Sequence, residues 1–60
     1  MPSFLVSPKS ATVEEAEAFA VSKGLLVTKR LPVVGALVVQ SWSTEYLRTA
    51  LGPEYDVEPN

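Results

Sequence analysis

The side chains that could take part in catalysis are hydroxyls and carboxylates, because the chain contains no histidine and no cysteine. A serine or threonine becomes a nucleophile when a base stands beside it, and the usual base is missing here. Four hydroxyl residues flank the starts of two predicted helices, where capping of backbone N–H groups explains them. They are Ser10, Thr12, Ser41 and Ser43. We therefore predict no catalytic residues and a protein that is not an enzyme.

The carboxylates offer a second kind of chemistry, since Glu14, Glu15 and Glu17 lie close together in the sequence. Clustered carboxylates can hold a hard cation. At the start of a helix, however, the positive end of the helix dipole also favours acidic residues, and a solvated acidic first turn is the simpler interpretation. The chain has no thiolate ligands either. We predict no metal site and no cofactor.

The length and composition predict one small globular domain spanning residues 1–60. Five Lys+Arg against seven Asp+Glu give a formal charge of -2, which argues against nucleic acid as a partner. The longest apolar run, LPVVGALVV, is interrupted by Pro32 and Gly35 and is far shorter than the roughly 20 residues of a membrane span. We therefore predict a soluble protein with no membrane partner. The first ten residues have no signal-peptide pattern, which predicts a cytoplasmic protein if the chain is complete and a secreted one if it is cut from a larger precursor.

The hydrophobic periodicity predicts four strands and two helices in the order β-α-β-β-α-β. Alternating or β-branched runs predict strands over residues 2–8, 25–30, 33–40 and 54–60. The first helix is expected after Thr12, with Glu15 as its capping-box partner, and the second helix after Ser43. Gly24 and Gly52 are typical of the ends of these helices.

This order predicts a ferredoxin-like split βαβ fold, an α+β arrangement with a four-stranded antiparallel sheet and both helices on one face. Strands one and three are expected at the centre of the sheet, and strands two and four at its edges. We expect the hairpin between strands two and three to turn within residues 29–33. Gly35 is then expected to mark a bulge, or a close backbone approach, inside strand three.

Strand three is apolar on both faces, although only one face of the sheet can meet the helices. Its residues form an odd-numbered set and an even-numbered set: Val33, Leu37 and Val39, and Val34, Ala36 and Val38. The face without helices is expected to carry an apolar patch, and such patches usually mark contact surfaces. We assign the even-numbered set to partner binding, although the sequence leaves open which set faces the helices. The other interpretation is a simply hydrophobic strand whose open face is partly covered by lysine and arginine side chains.

RNA-binding domains share this order of elements. They need exposed aromatic and basic residues on the central strands, whereas strand three offers valine, glycine, alanine and leucine. Trp42 stands alone at the junction between strand three and the second helix, and we expect it in the core or at its rim. RNA binding is therefore not predicted.

The second half of the chain contains three short features that occur together in one family. A hydrophobic strand carries Gly35-Ala36, a short helix follows with Leu47 and Leu51, and a Gly-Pro stop leads into the sequence VEPN. In these features the chain resembles the propeptide domains of subtilisin-like serine proteases and their free-standing inhibitor relatives.

The resemblance implies a function. In that family the open face of the sheet packs on two surface helices of the protease, and the domain both chaperones the folding of its protease and inhibits it. By position, Val57 and Glu58 match the closing strand of the family, while Pro59 and Asn60 begin the tail that lies in the substrate groove. We therefore predict a protein-binding module for a subtilisin-like serine protease, acting as inhibitor, folding chaperone or both. The alternative is a small intracellular interaction module, or a homodimer, that uses the same fold for an unrelated partner.

Overall fold

Four strands and two helices follow one another in the predicted order. The computed structural model describes residues 1–60. The elements are β1 (Ser3–Pro8), α1 (Val13–Ser22), β2 (Leu26–Leu31), β3 (Ala36–Gln40), α2 (Thr44–Leu51) and β4 (Tyr55–Pro59). The ferredoxin-like α+β fold is thus confirmed. Neither helix is long and apolar enough to cross a membrane.

The strands form one antiparallel sheet in the spatial order β2-β3-β1-β4, so β1 and β3 are central as predicted. The register places Val6 opposite both Leu37 of β3 and Val57 of β4. The pairing of β2 with β3 shifts between Val27 and Lys29, which leaves one extra residue on the edge strand. A short bulged edge strand is a poor template for the addition of another strand.

Local capping explains where both helices begin. The backbone N–H of Thr12 donates to the Glu15 carboxylate at 2.9 Å, and the N–H of Glu15 donates to the Thr12 hydroxyl at 3.1 Å. This reciprocal pair is the predicted capping box, and it satisfies two N–H groups of the first turn. At the start of α2 the N–H of Tyr46 donates to the Ser43 hydroxyl at 3.1 Å. Both predicted caps are confirmed.

The core lies between the sheet and the two helices. Its members come from all four strands or their flanks and from both helices: Phe4, Val6, Val13, Ala16, Ala20, Leu25, Leu37, Val39, Leu47, Leu51 and Val57. Phe19 of α1 stacks on Tyr55 of β4 with ring centroids 5.5 Å apart, which closes one side of this layer. Small residues such as Ala16 and Ala20 let α1 approach the sheet closely, so a 60-residue chain still forms a continuous core.

The hairpin between β2 and β3 turns later than predicted. Residues 32–35 form the turn, and β3 begins at Ala36 instead of residue 33. The N–H of Val34 donates to the carbonyl of Leu31 at 3.2 Å, so Pro32 occupies the second position of a β-turn, which its fixed φ suits. Gly35 has φ 68°, a left-handed conformation that closes the turn. The predicted bulge or close backbone approach at Gly35 is therefore wrong, since a Cβ at this position would meet nothing within 4 Å. Val34 lies in the turn, not in the strand.

Trp42 was expected in the core or at its rim, and the structure places it outside both. Its side chain is 79% exposed. The neighbouring Ser41 is buried instead, and its hydroxyl accepts from the N–H of Ser43 at 3.2 Å while donating to the Ser43 carbonyl at 3.1 Å. This local pair directs the chain from β3 into α2 and leaves the indole outside the core.

Candidate partner-binding face

One face of the sheet is covered by neither helix. Successive side chains of a strand point to opposite faces, so the residues that alternate with the core residues of each strand belong to this second face. We define the open face by these residues: Ser3, Leu5, Ser7, Leu26, Lys29, Leu31, Ala36, Val38, Gln40, Asp56 and Glu58.

The structure decides which set of β3 residues meets the helices. Leu37 and Val39 are fully buried and belong to the core with residues of α1 and α2. Ala36 and Val38 therefore point to the open face, in agreement with the assignment of the even-numbered set to that side. Their role in binding a partner stays a prediction.

Ala36 and Val38 are nevertheless only 3% and 9% exposed. The register explains this burial, because Leu31 lies opposite Ala36, and Val38 lies between Leu5 and Lys29. Small side chains on the central strands of a sheet are shielded by longer neighbours on the same face. Ala36 and Val38 thus form the floor of the open face, and the side chains around them form its accessible surface.

Three apolar residues of this surface were not predicted as site residues. Leu5 and Leu31 are half-buried, and Leu26 is 50% exposed. Leu5 carried a signal in the sequence, because it lies between Phe4 and Val6, which share the opposite face of β1. Leu26 followed the equally apolar Leu25, so alternation could not separate them.

On the open face, the two edge strands carry charges of opposite sign. The register places Glu58 opposite Leu5, Leu5 opposite Val38, and Val38 opposite Lys29. We call these four residues the central row; it crosses all four strands and has a carboxylate at one end and an ammonium group at the other. Asp56 adds a second exposed acidic side chain on β4. Neither carboxylate of β4 takes part in a salt bridge, since Arg30 with Glu17 is the one ion pair of the structure, at 3.4 Å on the helix side.

The C-terminal residues divide between the core and the surface. Val57 is 6% exposed and belongs to the core, so its side chain is not available to a partner in this structure. Glu58, Pro59 and Asn60 are exposed. The N–H of Asn60 donates to the carbonyl of Ser3 at 3.1 Å, which continues the pairing with β1 to the last residue.

The outer edge of β4 is partly blocked. The backbone of Asn60 bonds to Ser3 of β1, and that of Glu54 bonds to Lys9, the residue after β1. The alternate residues Tyr55, Val57 and Pro59 therefore direct their backbone groups away from β1. The Arg48 guanidinium donates to the Val57 carbonyl at 3.0 Å, and Pro59 has no N–H. These two features interrupt the edge without closing it, so the pairing of an added strand with β4 is a second way for a partner to bind.

The predicted site residues are therefore only partly brought together. Ala36, Val38 and Glu58 share the open face. Val34 lies at the tip of the β2–β3 hairpin, whereas Asn60 pairs with Ser3 at the other end of the sheet. No group of three or more His, Cys, Asp and Glu side chains is arranged to hold a metal ion.

Comparison with family models, with curated proteins and with solved structures found no match to this chain.

Proposed function

We propose that the protein is a protein-binding module that uses the open face to bind a subtilisin-like serine protease, as inhibitor, folding chaperone or both. The observation that carries the proposal is a sheet face with an apolar floor and no covering layer. Ala36 and Val38 form that floor, and the half-exposed Leu26 stands beside it. The likeness of the second half of the chain to protease propeptides supports the choice of partner.

A partner packed on this face would remove apolar side chains from water, which is worth roughly 25 cal/mol per Å² of apolar area. Lys29 and Glu58 would lie at opposite edges of the contact, where exposed charges select orientation and raise association rates more than they raise affinity. In this proposal Pro59 and Asn60 reach the substrate groove, for which the bond from Asn60 to Ser3 has to open.

The direct test is inhibition of a purified subtilisin-type protease by the full chain. We expect inhibition and a complex at about 10 µM or below, in the range of ordinary transient interfaces. Absence of both inhibition and complex formation at that concentration would overturn the proposal.

A matched pair of variants assigns the contact to the open face. Leu26 on the open face and Val21 on the outer side of α1 are similarly exposed, at 50% and 58%. Leu26→Asp is expected to weaken inhibition at least about tenfold, because it places a charge in an apolar contact, whereas Val21→Asp leaves inhibition unchanged. Equal effects of the two substitutions would contradict binding through this face.

The contribution of the tail is tested by removing Pro59 and Asn60. This deletion spares Val57, which the core requires. A tail that occupies the substrate groove predicts weaker inhibition with little change in unfolding temperature. Unchanged inhibition would restrict the contact to the open face.

A further inference from the structure

The order of side chains in the central row is complementary to the same row read in the opposite direction. Across the sheet it reads Glu58, Leu5, Val38 and Lys29, with the two charged residues on the edge strands and the two apolar residues on the central strands. Reversing the row exchanges acid with base and leucine with valine. Such a surface is complementary to a rotated copy of itself.

We propose that a second copy of this chain packs on the open face, related by a two-fold axis that lies between the sheets and runs parallel to the strands. This rotation places β4 of one copy over β2 of the other, and β1 over β3. Glu58 then faces Lys29 of the second copy, and Leu5 faces Val38, with each contact made twice. In the neighbouring row Ser3 faces Gln40, which pairs two polar side chains.

Charge complementarity selects this axis over the other two-fold arrangement. An axis perpendicular to the strands would place β4 over β4 and β2 over β2, so that Glu58 faces Glu58 and Lys29 faces Lys29. Like charges in direct opposition are unfavourable, whereas opposite charges at the rim favour the encounter. By the same rotation Asp56 lies over Leu31 of the second copy, at the rim of the contact, where its exposed carboxylate can turn toward water.

The area of the open face determines the affinity that we expect for the dimer. Four strands about 4.8 Å apart and five residues long, at about 3.4 Å per residue, give a flat area of roughly 320 Å² per copy. This area is below the roughly 800 Å² per partner of a stable complex, so the dimer belongs to the weak, concentration-dependent class. We expect a dissociation constant of roughly 100 µM.

The test is sedimentation of the purified chain from about 10 µM to about 2 mM, which spans the dissociation constant expected for a face of this size. The wild-type chain is expected to pass from monomer to dimer. A monomer throughout this range, or an assembly larger than a dimer, would overturn the proposal.

Charge reversal tests the orientation. Lys29→Glu and Glu58→Lys are each expected to weaken the dimer about tenfold or more, because each turns both attractive contacts into repulsive ones. The double variant Lys29→Glu/Glu58→Lys is expected to dimerise like the wild type, and so is an equal mixture of the two single variants. The perpendicular arrangement predicts no effect of either single variant, and that result would overturn the proposed geometry.

Matched controls carry the same change of net charge on the helix side. Glu45→Lys and Lys23→Glu alter exposed residues outside the open face and are expected to leave the dimer unchanged. Loss of the dimer in these controls would attribute the effect to net charge and overturn the contact. Lys29 and Glu58 are exposed, and circular dichroism checks that their variants keep the fold.

The inference relies on the same open face as the proposed function, so the dimer and a protease complex exclude each other. The dimer and the protease complex are tested independently. Sedimentation uses the chain alone, and protease inhibition is measured at concentrations well below the dissociation constant of the dimer. At about 100 µM the Lys29→Glu chain is mainly monomeric, because a tenfold weaker dimer dissociates at about 1 mM, whereas much of the wild-type chain hides its open face.

Discussion

The two faces of β3 are equally apolar in sequence and have opposite environments. Leu37 and Val39 are fully buried under the helices, whereas Ala36 and Val38 are buried by their neighbours on the open face. The first pair is held in a core filled from two layers. The second pair is shielded from the side only, and nothing packs above it. Low exposure therefore has two physical origins in this sheet, and substitutions can separate them.

The largest difference is expected for a buried charge. Val39→Asp places a carboxylate in the core with no partner, which costs at least about 4 kcal/mol, close to the whole stability of a small domain. Val38→Asp can turn its carboxylate toward water on the open face and is expected to cost about 1–2 kcal/mol. Urea unfolding followed by circular dichroism measures both values. If Val38→Asp unfolds the domain and Val39→Asp does not, the assignment of the two faces is reversed.

Replacing a leucine by alanine on each face of the sheet is expected to give a smaller difference in the free energy of unfolding. Leu37→Ala removes fully buried atoms and leaves a cavity, so a loss of about 2–5 kcal/mol is expected. Leu5 is half-buried and has no layer above it, so Leu5→Ala should cost about 1 kcal/mol. The comparison uses the midpoints and slopes of two unfolding curves. Equal losses would indicate that the open face is covered in solution under the conditions of the measurement.

The smallest change in the free energy of unfolding is expected for the exposed Leu26 on the open face. Leu26→Ser should change the free energy of unfolding by no more than about 0.5 kcal/mol, since half of the side chain is already in water. The same substitution should reduce self-association at high concentration, because it removes apolar surface from the proposed contact. A large loss of stability would show that Leu26 supports the monomer and not an interface.

The helices were predictable because their signals are local. Thr12 with Glu15, and Ser43 with the N–H of Tyr46, satisfy the first turns with residues three positions away. The order of elements then determined the sheet topology, since few arrangements allow short right-handed connections. The position of the β2–β3 turn was not predictable from the apolar pattern, because Val33 and Val34 resemble strand residues and yet occupy the turn.

The candidate site was less predictable than the fold. The prediction assigned Ala36 and Val38 to the open face and Glu58 to the closing strand. The register of the sheet brings all three onto one surface. Val57 was expected to bind a partner, and its side chain instead lies in the core. Alternation places Leu5 on the face opposite Phe4 and Val6, but its position between Val38 and Glu58 followed only from the place of β1 between β3 and β4.

The sequence by itself determined the element order, the helix caps and the closing strand YDVEP, because these depend on interactions between residues close in the chain or on simple rules of chain connection. Only the tertiary structure decided which face of β3 the helices cover, that Val57 is a core residue, and that Glu58, Leu5, Val38 and Lys29 form one row across the sheet. These outcomes depend on register between distant strands. A shift by one residue would exchange the two faces while leaving every local preference satisfied.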